Sequence, residues 1–151
     1  KMLILEERGM IRLALQKDVS QIYQLMKSVP GFWRDDWRED VVERGIDISD
    51  GLAFVWEEEK QIKGFVCAHD LGFRCYMSAL VVSPDVQGRH IGTQLVRYVE
   101  RELCARGCTV LIADVWNEAE SYFFKELGWA RPTSVLMQQN LFGRDMNCDD
   151  K

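Results

Sequence analysis

The stretch that decides the fold is Leu80-Val81-Val82-Ser83-Pro84-Asp85-Val86-Gln87-Gly88-Arg89-His90-Ile91-Gly92-Thr93. Its apolar start predicts a buried strand, its proline and glycines predict a turn, and the apolar spacing that follows predicts a helix. Backbone N–H groups in the first turn of a helix have no partners within the helix, and the helix dipole adds positive potential there. We therefore expect this turn to bind an anion.

Two glycines indicate how closely the anion can approach. Gly88 and Gly92 let the backbone come near a phosphate, and they permit a positive φ if the turn requires one. The chain lacks the Gly-Lys-Ser/Thr of a nucleoside-triphosphate P-loop, and it also lacks Gly-x-Gly-x-x-Gly. Neither a P-loop nor a Rossmann dinucleotide site is therefore indicated.

The segments before this stretch predict a meander of strands. Residues 10–15 have the alternation of a strand, and a helix is expected after an N-cap at Asp18. A second, short helix is expected to end near Gly45. Three short segments rich in β-branched and aromatic residues then predict antiparallel strands over 52–57, 62–69 and 75–82.

The segments after it predict an alternation of helices and strands. Apolar residues recur at helical spacing from Ile91 until Gly107, the expected C-terminal cap residue. A strand is predicted over 109–115, a helix over 118–127, a closing strand over 135–141 and a polar tail over 143–151. The predicted fold is α/β, with a mixed sheet in which an antiparallel meander is followed by parallel strands with flanking helices.

Composition limits the classes of protein that the chain can represent. Its 151 residues are 47% hydrophobic and carry a net charge of -5, which favours one domain over 1–151 with a core over about 10–141. The scattered basic residues argue against nucleic acid as a partner. No apolar run is long enough for a membrane span, so we expect no membrane association and a cytoplasmic protein. The five cysteines form no CxxC pair, so neither a disulfide framework nor a metal site is expected.

Two motifs resemble those of the GNAT N-acetyltransferases. In that family a strand is followed by Gln/Arg-x-x-Gly-x-Gly/Ala and a helix; Gln87 and Gly92 match, and His90 stands at the first motif glycine. Residues 117–129 are similar to the family's Asn-x-x-Ala-x-x-x-Tyr-x-x-x-Gly-Phe, with Glu120 at the alanine and Phe124 at the tyrosine. Together with the strand order, the likeness covers residues 10–141.

The resemblance implies acetyl-CoA as the cofactor and places its binding residues. Backbone groups of the splayed strand would hold the pantetheine, the N–H groups of residues 88–93 would hold the pyrophosphate, and His90 would offer its N–H in place of glycine if its φ is negative. The Val82 N–H would donate to the acetyl carbonyl. The cofactor-binding residues expected on this basis are Leu80, Val81, Val82, Gln87, Gly88, Arg89, His90, Ile91, Gly92, Thr93, Asn117 and Phe124.

The proton-transfer groups are less clearly indicated. Phe124 has no proton to give to the leaving thiolate, and Tyr122 is expected to face elsewhere, because it lies about 200° away around the helix. Water or Ser121 is left for that step. The strand over 75–82 contains no acid, so the candidate bases are Asp70, Asp114 and a water held by Tyr76. Each of these residues also has an ordinary structural interpretation, as a turn cap, a surface charge or an aromatic residue of the sheet. The preferred base is a chain of water molecules that leads to bulk solvent.

The acceptor wall is expected in the connection between the first two helices. Phe32, Trp33, Asp35, Asp36 and Trp37 place aromatics beside carboxylates, which suits an ammonium group. Alternatively, Trp33 and Trp37 simply pack on the core. The predicted function is transfer of acetyl to a primary amine of a small molecule or peptide by direct attack. The alternative is a non-catalytic CoA-binding regulatory domain, and the resemblance also implies a possible homodimer.

Overall fold

The computed structural model of the protein describes residues 9–141. It contains five strands and four α-helices in this part of the chain. In chain order these are β1 (Met10–Leu13), α1 (Val19–Ser28), α2 (Val41–Ser49), β2 (Ala53–Glu58), β3 (Gln61–Asp70), β4 (Cys75–Val82), α3 (Ile91–Ala105), β5 (Leu111–Ala113) and α4 (Glu120–Lys125). None of the helices in residues 9–141 has the length and apolar character to cross a bilayer.

The five strands form one mixed sheet in the order β1-β2-β3-β4-β5. The first four strands pair antiparallel, and β4 pairs with β5 in parallel. The predicted α/β fold, with a mixed sheet and flanking helices, is confirmed. Of the predicted parallel strands, residues 9–141 contain one, β5.

A β-bulge interrupts the pairing of β3 with β4. Cys67 lies opposite Ala79 and Ala68 lies opposite Met77, so Ser78 is left without a partner in the register. An extra residue of this kind reverses the alternation of side chains along its strand. Met77 therefore packs on one face of the sheet, and Ala79 packs on the other.

Helices cover both faces of the sheet. The apolar side of α3 packs on one face through residues that include Leu95 and Val99, and α1 and α2 pack on the other face through residues that include Ile22 and Ile46. Gly64 of β3 permits the close approach of α3, because a Cβ there would lie 2.9 Å from Leu95 Cδ1.

Helix α3 begins at Ile91 and ends before Gly107, as the sequence predicts. Gly107 has φ +84, its N–H donates to the Cys104 carbonyl, and the Cys108 N–H donates to the Leu103 carbonyl. This is the Schellman arrangement, in which a left-handed glycine satisfies the last carbonyl groups of a helix. The α3 helix is therefore defined at its C-terminal end by local sequence alone.

Two local predictions about the first helices need correction. Helix α2 continues through Gly45 to Ser49, because burial of Ile46 outweighs the cost of about 1 kcal/mol for a glycine within a helix. Asp18 does precede α1, but its side chain makes no cap hydrogen bond. Its buried carboxylate instead accepts hydrogen bonds from Arg12 and from the Leu15 N–H.

The strand predicted over 135–141 does not form. Residues 128–141 contain no regular element, and Val135 and Met137 are 80% and 85% exposed. Alternation identifies a strand only where a neighbouring strand pairs with it and one face becomes buried, and within residues 9–141 no strand pairs with this segment and its residues are exposed. The predicted polar tail over 143–151 lies outside the described residues.

Candidate functional site

Strands β4 and β5 separate part of the way along β4. Their pairing ends at Met77 and Ala113, while β4 continues to Val82. The separation opens a cavity of about 470 Å³, which we call the interstrand cleft. Its walls include residues 76–82, Gln87, residues 113–116 and Tyr122.

The backbone of Val82 faces this cleft. The Ser83 N–H donates to the Lys63 carbonyl at 2.8 Å, and Val82 lies opposite Gly64 in the same ladder. Since successive residues of an antiparallel strand direct their backbone groups to opposite sides, the Val82 N–H and carbonyl point away from β3. The carbonyl accepts a hydrogen bond from Gln87 Nε2 at 3.1 Å. By the same alternation Leu80 faces the cleft and Val81 faces β3.

The N-terminus of α3 lies at one end of the predicted anion-binding turn. Gly88 has φ +84 and His90 has φ +61, and the first α3 hydrogen bond of this region runs from the Gln94 N–H to the His90 carbonyl. The negative φ that was the condition for His90 to offer its N–H in place of glycine is therefore not met. His90 adopts the left-handed conformation directly before α3 begins at Ile91. Histidine tolerates that conformation at a cost.

The remaining residues of the turn contribute mainly backbone. The Ile91 side chain is buried in the core, so only its N–H is able to contact a ligand. Arg89 is paired with Glu58 at 3.0 Å, and it is Gln87 whose side chain lines the cleft. A ligand at this turn would therefore meet N–H groups first.

Tyr122 closes the cleft beside the α3 N-terminus. Its hydroxyl lies 2.6 Å from Thr93 Oγ1, and a Cβ on Gly92 would lie 3.4 Å from the same hydroxyl. Burial is the main cause of the raised pKa of Tyr122, so the hydroxyl stays protonated. The expectation that Tyr122 faces away from the site is thus corrected.

Phe124, which the family register would place against the cofactor, lies on the other side of α4. It is 43% exposed and is not among the cleft-lining residues. The helix is anchored in the core through Phe123, which leaves Phe124 on its outer side and Tyr122 on the cleft side. Asn117 is exposed in the short 3-10 turn before α4, and its side chain also lies outside the cleft lining.

The three candidate bases occupy different places. Asp70 lies at the end of β3, where its carboxylate accepts a hydrogen bond from the Gly72 N–H at 2.9 Å, and it does not reach the cleft. Asp114 and Tyr76 both line the cleft. The pKa of Tyr76 is raised, first by burial and then by the Asp114 charge. Asp70 therefore caps the β3–β4 turn, and the other two remain beside the cleft.

The predicted acceptor wall is only partly assembled at the cleft. Phe32 and Trp37 line it, and Phe32 contacts Trp116 with ring centroids 6.0 Å apart. Trp33 is not part of the cleft lining and packs edge-on against Tyr23, with ring centroids 4.7 Å apart. The Asp36 carboxylate is paired with Arg34 at 2.6 Å, and this pairing lowers its pKa.

A second cavity adjoins the cleft on the face of the sheet that α1 and α2 cover. This α2 chamber has a volume of about 500 Å³, and it is lined by residues that include Val42, Phe65 and His69. Three residues line both cavities, namely Trp37, Ser78 and Ala79. The cleft and the α2 chamber therefore meet at the bulge of β4.

A polar cluster lies in the wall of the α2 chamber. His69 is 8% exposed, and its Nε2 lies 2.7 Å from Ser78 Oγ and 3.7 Å from Cys67 Sγ. Burial lowers the pKa of His69, with a partial offset from the Ile48 carbonyl, and burial raises the pKa of Cys67 to about 11. Both side chains are therefore neutral near pH 7.

The cavity residues that reasoning from sequence did not propose include His69, Ser78, Trp116 and Tyr122. His69 and Ser78 lie nine positions apart on different strands, and only the bulge brings them together. Trp116 directly precedes the motif at Asn117, so the motif could have drawn attention to it. For Tyr122 the helical register of α4 was the missing information.

Solved structures share this fold at low sequence identity. A transcriptional regulator from Bacillus halodurans has a TM-score of 0.71 and 17% identity, covering 87% of this chain and 99% of its own. The ribosomal-protein-S18-alanine N-acetyltransferase from Escherichia coli has a TM-score of 0.70 and 21% identity, with coverages of 83% and 79%. The aminoglycoside N-acetyltransferase AAC(6')-Iy, in complex with CoA, has a TM-score of 0.68 and 18% identity, with coverages of 88% and 95%.

The sequence also matches a family directly. No curated protein matches the chain. The profile of the acetyltransferase (GNAT) family matches residues 19–129, which span the elements from α1 to the end of α4 and include both cavities. The protein therefore belongs to the acetyltransferase (GNAT) family.

Proposed function

We propose that the protein transfers the acetyl group of acetyl-CoA to a primary amine of a small molecule or peptide by direct attack. The observation that carries this proposal is the separation of β4 from β5, which exposes the Val82 backbone in a cleft that ends near the α3 N-terminus. Membership of the GNAT family supports the reaction class.

The residues of the cleft fit a CoA molecule. The N–H groups of the first α3 turn have no helical acceptors, so they suit a pyrophosphate. The missing side chain of Gly92 leaves space beside these groups, where a Cβ would lie 3.4 Å from the Tyr122 hydroxyl and 3.5 Å from Val82 Cγ2. An extended pantetheine would lie along residues 80–82, where alternate backbone groups face the cleft.

The Val82 N–H is the proposed donor to the acetyl carbonyl. A backbone N–H held by a strand is already oriented, so it stabilises the developing oxyanion without reorganisation. Donors of this kind contribute on the order of 3 kcal/mol to transition-state stabilisation in acyl transfer. Solvent supplies the proton to the leaving thiolate, since thiols have a pKa near about 8.5 and protonation of this group needs no strong acid.

The acceptor amine would enter past Phe32, Trp37 and Trp116. These rings surround the end of the cleft that is next to the α2 chamber, and aromatic faces attract a cationic ammonium group. Solved neighbours are described as acetylating a ribosomal-protein alanine and aminoglycosides, which are both amine acceptors.

A second candidate function is CoA binding without turnover. It is favoured by the absence of an acidic residue on β4 and by a neighbour of the same fold that is described as a transcriptional regulator. This regulatory domain would retain the cleft and the α3 N-terminus, and it would lack a productive acceptor site.

Isothermal titration with acetyl-CoA, followed by thiol release against a panel of polyamines, amino acids and peptide N-termini, separates these functions. Saturable binding with amine-dependent thiol release supports the transferase. Binding without release from any amine would support the regulatory domain. A folded protein that does not bind acetyl-CoA would contradict both.

A further inference from the structure

The buried imidazole of His69 has one strong polar partner. Its Nε2 lies 2.7 Å from Ser78 Oγ, whereas Ser78 Oγ lies 3.3 Å from the Cys67 carbonyl. The Ser78 hydroxyl has a single proton, which it can donate either to His69 Nε2 or to the Cys67 carbonyl, and the 3.3 Å contact to the carbonyl is the weaker of the two. When the proton is donated to His69, Nε2 is the acceptor and the ring proton is on Nδ1.

Nδ1 has no partner at normal hydrogen-bond geometry within residues 9–141, and the Ile48 carbonyl only partly offsets the effect of burial on the pKa of His69. Since an unpaired buried polar group costs about 1–3 kcal/mol, so weak a partner leaves most of that cost in place. The buried wall of a structural chamber would be filled more favourably by an apolar side chain. The arrangement is explained if the imidazole exchanges a proton with a group that is bound in one of the two cavities.

Ser78 provides the connection to the outside. His69 itself is nearly inaccessible, but Ser78 is exposed and lines both the α2 chamber and the interstrand cleft. The bulge turns its side chain towards His69, at the point where β4 separates from β5. A group that enters from the chamber towards the Val82 backbone must pass this hydroxyl.

The surroundings favour a neutral imidazole that can accept a proton. Cys67 lies beside the ring, and burial raises its pKa to about 11, so it contributes no charge near pH 7. Tyr76 lies opposite His69 on β4, and its pKa is raised as well. The charged groups that line the chamber are Asp36, Arg38 and Arg44, of which the first two form ion pairs with Arg34 and Asp40.

We infer that Ser78 and His69 form a proton relay that removes a proton from the acceptor amine where the α2 chamber meets the interstrand cleft. The ammonium form first loses one proton to the relay: its N–H proton passes to Ser78 Oγ while the Ser78 proton passes to His69 Nε2. The neutral amine nitrogen then forms its bond to the acetyl carbon. The C–S bond breaks, and its electron pair leaves on sulfur.

The charges and protons balance at the end of this sequence. The thiolate takes a proton from solvent, and the His69 imidazolium later returns its proton to solvent through Ser78. The second N–H proton of the attacking amine is lost to water as the amide forms. Ser78 is the catalytic residue because it touches the substrate, and His69 acts through it.

This inference rests on the proposed acetyltransferase function and is tested with the amine that the thiol-release panel identifies. The variants are His69→Gln and Ser78→Ala, with Ser78→Thr as the variant that keeps the hydroxyl. Ser49→Ala is the matched control, because it also removes a serine hydroxyl. Ser49 is buried, it follows Ile48 of the chamber wall, and it lines neither cavity. The measurements are kcat against pH at saturating substrates and CoA affinity by titration.

The expected result is a loss of kcat of about 100-fold in His69→Gln and Ser78→Ala, while CoA affinity stays within about twofold. In the wild type kcat should fall as pH drops through the pKa of His69, which burial places below the usual histidine value of about 6.5, and both variants should lose this fall. Ser78→Thr and Ser49→Ala should retain most of the activity and the fall.

An unchanged kcat and pH profile in His69→Gln would overturn the relay and leave the transferase function standing. If His69→Gln does not fold, Ser78→Ala decides the question, because its side chain is exposed and its loss creates little cavity. A wild type without amine-dependent thiol release would overturn the proposed function, and the relay with it.

Discussion

At the scale of single residues, two aromatic side chains on α4 exchange the places that the family motif gives them. Tyr122 reaches the cleft and contacts Thr93 at 2.6 Å, and Phe124 faces outward. Because Thr93 is in the first turn of α3, this contact ties Tyr122 to the helix end whose N–H groups we expect to bind the pyrophosphate. Its contribution is therefore expected in cofactor binding more than in proton transfer.

Replacing Tyr122 by Phe should weaken acetyl-CoA binding by roughly fivefold to tenfold, since a lost hydrogen bond of this kind is worth about 1 kcal/mol. Titration calorimetry measures the change in Kd. The matched control is Phe124→Tyr, which adds a hydroxyl on the opposite side of the same helix and should leave Kd unchanged. A Kd for Tyr122→Phe equal to that of the wild type would remove Tyr122 from the cofactor site.

The backbone of His90 adopts a conformation that is strained for a residue with a side chain. Its φ of +61 is a conformation that glycine adopts without strain, and glycine is the motif residue at this position. His90→Gly should therefore raise the free energy of unfolding by about 0.5–1 kcal/mol in urea denaturation. A destabilised His90→Gly variant would mean that the histidine side chain makes a compensating contact.

At the scale of elements, one ion-pair cluster connects β1, β2 and the start of α1. Arg12 of β1 donates to both oxygens of Asp18 at 2.7 and 2.9 Å and to Glu57 of β2 at 2.9 Å. The Asp18 side chain is 4% exposed, so its charge depends on Arg12 for compensation. The cluster fixes where the chain enters α1 and thereby positions the α1–α2 connection that carries Phe32 and Trp37.

This cluster makes stability depend on pH. The Arg12 hydrogen bonds lower the pKa of Asp18, so its contribution is fully present above the unfolded-state pKa of about 3.9 and is lost as pH falls through the lower folded-state value. Asp18→Asn should reduce the free energy of unfolding at pH 7 by about 2 kcal/mol and flatten its decline below pH about 4.

Urea denaturation at several pH values measures both effects. Asp40→Asn is the control, because Asp40 pairs with Arg38 on the surface, where both side chains are well exposed. That variant should behave as the wild type near neutral pH. Equal losses of stability in the two variants would show that the buried Asp18 cluster contributes no more to the free energy of unfolding than the surface pair does.

At the scale of the whole molecule, the sheet separates two cavities that join at one point. The interstrand cleft lies where β5 is too short to continue alongside β4, and the α2 chamber lies between the sheet and the first two helices. Trp37, Ser78 and Ala79 belong to both. A donor and an acceptor could therefore reach the same position from different sides without displacing each other.

Ligand binding to the cleft should stabilise the entire fold. Acetyl-CoA at about 100 times its Kd should add about 2.7 kcal/mol, which corresponds to a rise in Tm of roughly 5–10 °C for a chain of this size. Differential scanning calorimetry measures the shift. Gly92→Val should abolish most of it, because the valine side chain would fill the space between the α3 N-terminus, Tyr122 and Val82 in which the cofactor is proposed to lie. A full shift in a folded Gly92→Val protein would place the cofactor elsewhere.

Local sequence alone was sufficient for the elements that carry strong local signals. The bounds of β4 and the ends of α3 follow from β-branched residues and from Gly107, and both motifs are contiguous stretches. Such features depend on φ preferences and apolar spacing within a few residues, and these act without the rest of the chain. The fold class and the family could therefore be predicted.

Only the tertiary structure decided which strands pair and which side chains meet. No strand forms over 135–141, because no strand of the described residues 9–141 pairs with that segment. The opposite facing of Tyr122 and Phe124 depends on how Phe123 anchors α4. The meeting of His69 with Ser78 depends on a one-residue bulge between strands. Long-range pairing and helix rotation are set by the packing of distant segments, and no local pattern in the sequence encodes them.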